Sequence, residues 1–226
     1  MDKLQLLRTV PLFARLSYEH LTTLSAHLGT QAFERGATIF HQGSVGNMLY
    51  MVVQGQVRVY TVSDTGQELT VMIFCDGDFF GELALLDGQP RSATAEAMCT
   101  TRTLTLHRDE FQQVVANHPD IAMGVMETLS HRLRYSNIYA EHLISHSAGQ
   151  RVVRRLLDLA DQHGVLENGT TRINLHLTQD DLASLAGTTR ETVNRVLSGL
   201  RDQGLIRVER ARVSVLNLSQ LEQAIQ

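Results

Sequence analysis

Only two cysteines, Cys75 and Cys99, occur in the 226 residues. Two thiols build no disulfide framework, so a reducing cytoplasm is the expected compartment. Cys75 lies in an apolar run and is expected in a core. No run approaches the roughly 18 consecutive apolar residues of a membrane span. The opening Met1-Asp2-Lys3-Leu4-Gln5 lacks the basic-then-apolar form of a signal peptide. No membrane partner is therefore expected. No Ser-His-Asp set and no pair of facing carboxylates stands out, which argues against an enzyme. His142 and His146 lie four residues apart and are at most half of a metal site. With no second pair nearby they read as solvated imidazoles, and no metal or haem is expected.

The formal net charge of −4 does not by itself suggest a nucleic-acid partner. Its distribution does. Residues 1–116 carry 8 Lys and Arg against 12 Asp and Glu, a net −4, whereas residues 188–212 carry 6 Arg against 3 acids, a net +3. A basic patch confined to one short segment is the footprint of a local DNA contact, although a solvated face has the same look.

The texture changes along the chain. Residues 11–29 read as a helix with Ser17 as N-cap and Gly29 as the stop. From about 31 to 106, β-rich runs such as Leu49-Tyr50-Met51-Val52-Val53 alternate with turn signals such as Asp64-Thr65-Gly66 and Asp87-Gly88. That spacing predicts an antiparallel barrel or sandwich. Residues 109–116 read as a short helix. A longer one starts near Pro119. Along it Ala122, Met126, Leu129, Leu133, Ser136, Ala140 and Leu143 recur at spacings 4 and 3, a heptad seam expected to join two copies of the chain, or else to cover the chain's own barrel. Ser145-His146-Ser147-Ala148-Gly149 reads as a hinge. Beyond an amphipathic helix from Arg151 to about His163, Thr178 caps a helix that ends at Gly187. A second helix runs from Thr189 to Gly204, in a helix-turn-helix layout. Residues 205–215 alternate with period two around a turn, as a β-wing does. The expected fold class is α+β, in segments 1–117, 118–146 and 147–226.

Two motifs carry chemistry. In Phe80-Gly81-Glu82-Leu83-Ala84-Leu85-Leu86-Asp87-Gly88-Gln89-Pro90-Arg91-Ser92-Ala93-Thr94-Ala95, a carboxylate and a guanidinium stand nine residues apart across a turn. Arg91 can hold a phosphate diester through two parallel hydrogen bonds, which a lysine does less well. Glu82 can accept from a ribose 2′-hydroxyl, Ser92 adds a hydroxyl donor, and Gly81 lets backbone amides approach phosphate oxygens. A strand–turn–strand with a surface Glu–Arg pair would contain the same residues. The second motif is Thr188-Thr189-Arg190-Glu191-Thr192-Val193-Asn194-Arg195. Arg190 and Arg195 can each take guanine O6 and N7, and Glu191 can accept from cytosine N4. Thr178, Thr189 and Thr192 are placed for phosphates near helix N-termini.

The Phe80–Ala95 segment resembles, without a gap, the phosphate-binding cassette of cyclic-nucleotide-binding domains. The order of β-roll, long helix, hinge and winged helix-turn-helix is similar to that of the CRP/FNR family of bacterial transcription regulators over nearly the whole chain. Arg-Glu-Thr-Val-Asn-Arg looks like the recognition helix of its cyclic-AMP receptor branch. The oxygen-sensing branch needs an N-terminal cysteine cluster for an iron–sulfur centre, and this chain has no cysteine before Cys75. The resemblance implies an N-terminal β-roll, a long dimerisation helix and a C-terminal winged helix-turn-helix. It places Gly81, Glu82, Leu83, Arg91 and Ser92 on ligand-binding positions. Ser136 and Asn137 stand where the family carries Thr-Ser or Thr-Asn against the adenine. It further implies cAMP as the allosteric ligand and double-stranded DNA, a second copy of the chain and RNA polymerase as partners. The implied DNA half-site is TGTGA in an inverted repeat. Cyclic GMP, a cyclic dinucleotide or no effector, and a ligand-binding module acting through a protein contact, are the alternatives.

Overall fold

The computed structural model describes residues 3–14, 16–167 and 169–224. Met1 and Asp2, where the signal-peptide reading begins, and Ile225 and Gln226, the end of the expected third segment, lie outside the described residues. The chain divides into two compact units, Met1–Thr61 with Val71–Tyr135 and Val62–Thr70 with Ser136–Gln226.

The first unit opens with helices α1 (Lys3–Arg8) and α2 (Tyr18–His27). Ser17 caps α2 as expected, its side chain accepting from the His20 amide. Gly29 is not a helix stop. The helix ends at His27 with Leu28 as its C-cap, and Gly29 enters strand β1 (Gly29–Phe33), paired with Thr105. The strands that follow are β2 (Thr38–Phe40), β3 (Met48–Gln54), β4 (Val57–Val62), β5 (Glu68–Phe74), β6 (Phe79–Phe80), β7 (Thr94–Ala97) and β8 (Thr101–His107). They form two sheets, ordered β1-β8-β3-β6 and β2-β7-β4-β5. Period-two alternation sorts β3 between two cores. Tyr50 and Val52 join Val57, Phe74, Phe80 and Ala95 in one cluster. Leu49 and Met51 join Leu104, Leu106 and the helical residues Leu21, Leu24, Phe111 and Ile121 in another. Being buried on both faces, β3 reads as an unbroken apolar run. Between β6 and β7 lies the six-residue helix α3 (Glu82–Asp87).

After α4 (Arg108–Asn117) the chain enters α5, 27 residues from Pro119 to Ser145. Its buried residues are Ile121, Val125 and Tyr139. Four of the seven expected seam residues, Met126, Leu133, Ser136 and Ala140, stay exposed, but Leu129 packs against the chain's own core. The exposed stripe is completed by Met123, Ser130, Asn137 and Ile144. A heptad pattern fits either of two neighbouring stripes on a helix, and only burial separates them.

In the second unit, α6 (Ala148–His163) starts from Ser147, which forms a capping box with Gln150. The helical break therefore falls inside the 145–149 segment expected to be a hinge. Strands β9 (Gly164–Glu167) and β10 (Thr170–Ile173) form a hairpin that the sequence did not announce, because β9 is exposed along its length and shows no alternation. They join the wing, β11 (Ile206–Glu209) and β12 (Arg212–Val215), in a sheet ordered β11-β12-β10-β9. The wing turns on Arg210 and Ala211, both left-handed with φ of 48° and 62°, the geometry of a two-residue hairpin turn. Helices α7 (Gln179–Ala186) and α8 (Arg190–Asp202) meet through Gly187. Helix α9 (Leu218–Gln223) follows the wing. Within this unit the Tyr139 hydroxyl donates to the Leu185 carbonyl at 3.0 Å, and Arg155 lies 3.6 Å over the Tyr139 ring.

Candidate ligand-binding and DNA-binding sites

Arg91 lies between the two sheets of the first unit and is only 5% exposed. Its Nη1 donates to the Gly81 carbonyl at 2.6 Å and its Nη2 to the Met48 carbonyl at 2.7 Å. The guanidinium sits 4.2 Å over the Phe40 ring, within the aromatic group of Phe40, Tyr50, Phe74 and Phe80. Nε is buried without a hydrogen-bond partner among the described residues. Burial pushes the Arg91 pKa below its ordinary value, against the pull of Tyr50 and Glu82, with repulsion from Arg108 adding to the fall. A buried cation with an unpartnered Nε–H is a fitting partner for a phosphate monoanion.

Two glycines make room for it. Gly81 has φ 82°, and a Cβ there would lie 2.6 Å from Arg91 Nη1. A Cβ on Gly46 would lie 2.6 Å from Arg91 Nε. Any side chain at either position would evict the guanidinium.

Gly81 also leads into α3, whose first residue Glu82 is 3% exposed. The Glu82 carboxylate is held by Arg132 of α5 at 2.8 Å. Arg132 also donates to the Phe79 carbonyl at 2.5 Å and lies 4.7 Å over the rings of both Phe74 and Phe79. Glu82 and Arg91 are therefore not the surface pair that the residue types alone would allow. Leu83 and Ser92 are exposed beside them. Gly81, Glu82, Leu83, Arg91 and Ser92 come together around α3. Ser136 and Asn137 are exposed on α5 and belong to the second unit. Sequence reasoning did not single out Arg132. Its signal was available, since it is one turn before Ser136 on the helix expected to face the ligand.

The second site is the exposed face of α8. Thr189 caps the helix through the Thr192 amide, and Thr178 caps α7 in a capping box with Asp181. Both hydroxyls therefore stand at helix N-termini, where backbone amides favour phosphate. Val193, Leu197 and Leu200 pack inward, leaving Arg190, Glu191, Asn194 and Arg195 exposed. Arg190 makes long contacts, 3.4 Å each, to Gln179 and Asp180. The Glu191 carboxyl is held below its usual range by its own backbone amide and the Thr189 hydroxyl, so it is an anionic acceptor at neutral pH. Asn194, which the sequence reading did not single out, accepts from Gln179 at 3.3 Å in the middle of this face. Among the described residues no cluster of three or more metal-ligating side chains occurs, and no helix is long and apolar enough to cross a membrane.

Both halves of the chain have relatives among known proteins. The model of the cyclic nucleotide-binding domain matches residues 30–118, and that of the Crp-like helix-turn-helix domain matches residues 150–224. The chain is 31% identical over 217 residues to the CRP-like cAMP-activated global transcriptional regulator of Mycobacterium tuberculosis, covering 96% of this chain and 97% of that one. It is 34% identical over 213 residues to the cyclic AMP receptor protein of Thermus thermophilus, covering 94% of this chain and 95% of the relative. Among solved structures, the c-di-GMP responsive global regulator CLP of Xanthomonas campestris superimposes with a TM-score of 0.74 at 25% identity, covering 85% of this chain and 95% of that one. The chain belongs to the CRP/FNR family of transcription regulators. Within it, the sequence stands with the cyclic-AMP receptor branch.

Proposed function

We propose that the protein is a homodimeric, sequence-specific DNA-binding regulator switched by a cyclic nucleotide, and that the nucleotide is cAMP. The buried Arg91, with its unpartnered Nε and flanking glycines, carries the reading. Arg91 takes the cyclic phosphate, Glu82 accepts from the ribose 2′-hydroxyl, and Ser92 and the backbone around Gly81, Glu82 and Leu83 complete the phosphate and sugar contacts. Ser136 and Asn137 serve the adenine, one in each subunit's site. The names of the Mycobacterium and Thermus relatives favour cAMP.

Residues 1–117 form the ligand domain, 118–146 the dimerisation helix and hinge, and 147–226 the DNA-binding domain. The exposed stripe on α5 is the dimer seam. Ligand binding shifts the population between arrangements of the DNA-binding domains around residues 145–149. Two α8 helices then enter successive major grooves, one DNA turn apart. Arg190, Glu191 and Arg195 read a TGTGA half-site, and Thr178, Thr189 and Thr192 hold phosphates. RNA polymerase is the further partner, and the compartment is the cytoplasm.

A cyclic dinucleotide is the second reading, favoured by the c-di-GMP responsive neighbour. Calorimetric titration with cAMP, cGMP and cyclic di-GMP separates them. Saturable 1:1 binding of cAMP per chain, tighter than either rival, is the expected result, and preferential binding of another nucleotide overturns the choice of cAMP.

A further inference from the structure

Arg108 lies outside the Phe80–Ala95 cassette, as the first residue of α4. Its backbone amide donates to the Asn47 carbonyl at 2.9 Å, and its guanidinium Nη2 donates to the Ala84 carbonyl. One turn on, Gln112 Nε2 donates to the Leu85 carbonyl at 3.0 Å. Ala84 and Leu85 belong to α3, where the closing carbonyls of a helix have no donor within it. A six-residue helix does not hold its own conformation in water. Two donors from α4 therefore seat α3 from its C-terminal side, and the cationic one also suits that end of the helix dipole. The opposite end of the same short helix carries Gly81 and Glu82. The charge of Arg108 is also felt at Arg91, which it disfavours as a cation. A bound anion would relieve that repulsion.

We propose that Arg108 is a positioning residue for the nucleotide, fixing with Gln112 the seat of α3 and hence the placement of the Glu82 carboxylate against the ribose 2′-hydroxyl. This rests on the cyclic-nucleotide reading of Arg91 and Glu82 given above. The geometry carries a specific consequence. Misplacing α3 should cost the sugar contact more than the phosphate contact, because Arg91 is also anchored outside α3, by the Met48 carbonyl and the Phe40 ring.

The test is calorimetric titration of the full-length parent, Arg108→Met, Arg108→Lys and Gln112→Leu with cAMP and with 2′-deoxy-cAMP, with thermal melting to confirm that each variant is folded. The parent should prefer cAMP by about tenfold, the worth of one hydrogen bond to a charged group. In Arg108→Met the affinity for cAMP should fall by about that factor while 2′-deoxy-cAMP changes little, so the preference collapses. Arg108→Lys should recover part of it, and Gln112→Leu should show a smaller loss of the same kind. Unchanged preference in folded Arg108→Met, or equal loss of both nucleotides, overturns the positioning role. If Arg108→Met does not fold, a parental preference in both Arg108→Lys and Gln112→Leu overturns it. A parent that binds neither nucleotide instead overturns the cyclic-nucleotide reading on which it rests.

Discussion

Arg91 is held by two carbonyls, an aromatic face and two side-chain-free glycine positions, so its place is set before any ligand arrives. Such preorganisation lowers the ordering cost of binding. Arg91→Leu keeps much of the apolar packing but strands the phosphate charge, and cAMP affinity should fall by about 2–5 kcal/mol. Titration calorimetry that finds near-parental affinity in that variant would refute the pocket assignment. A second residue-scale consequence concerns pH. His142, on α5, has its pKa pushed below the ordinary 6.5 by burial and then by Arg154, with His146 acting in the same sense and Asp158 and Glu141 opposing. Its folded form therefore binds the proton less well than the unfolded chain does. Stability from this group is full above pH 6.5 and is lost as pH falls from there through the depressed folded value. Asp158, raised by burial, acts in the opposite sense just above its ordinary 3.8. In urea melts between pH 7.5 and about 5, the stability of the parent relative to His142→Gln should therefore fall on acidification. Parallel pH profiles would contradict this account of His142.

At the scale of elements, the helices were legible where caps and breakers mark them. Ser17, Thr178 and Gly187 all stand where the sequence placed them, because a cap is a local hydrogen bond that needs no tertiary partner. The β9–β10 hairpin was not legible, since β10 draws its order from pairing with β12, and β9 from pairing with β10, rather than from a pattern of their own. The cassette residues were legible as chemistry, but the Arg132–Glu82 pair joins residues 50 apart and appears only once the chain is folded. The α5 stripe is the instructive case. Leu129 and Leu133 fit one heptad on paper, yet Leu129 faces the core and Leu133 is 63% exposed. Leu133→Asp should therefore leave a folded chain while placing an unpaired charge in the proposed dimer seam. Sedimentation should show monomers with parental circular dichroism, and an intact dimer would place the seam elsewhere. Leu129→Asp should unfold the first unit instead. For α8, the expectation is base-specific. Arg195→Ala should relax selection at one base pair of each half-site, a loss of about 1–3 kcal/mol in discrimination. Thr189→Ala should weaken all sequences alike, because phosphate contacts carry no base information. Selection from random duplexes that returns the same preference for parent and Arg195→Ala would reject the assignment of α8 as the reading helix.

For the whole molecule, the charge asymmetry seen in the sequence has a structural meaning. The acidic half, net −4 over residues 1–116, holds the buried cation site, and the net +3 segment of residues 188–212 spans α8 and the wing. A small nucleotide can control a DNA reader only through differential affinity for two arrangements of the dimer, and the coupling is reciprocal. DNA carrying the proper site should therefore tighten cAMP binding by the factor through which cAMP tightens DNA binding. Couplings of this kind are typically about 5–150-fold. The central claim, that one chain joins a cyclic-nucleotide site to a sequence-specific DNA reader, is tested most directly by fluorescence anisotropy. A duplex bearing an inverted TGTGA repeat and a scrambled duplex are titrated at fixed salt, with and without saturating cAMP. The account predicts that cAMP tightens binding to the repeat by about tenfold or more while leaving the scrambled duplex unchanged. Equal affinity for the repeat in the two conditions would contradict it.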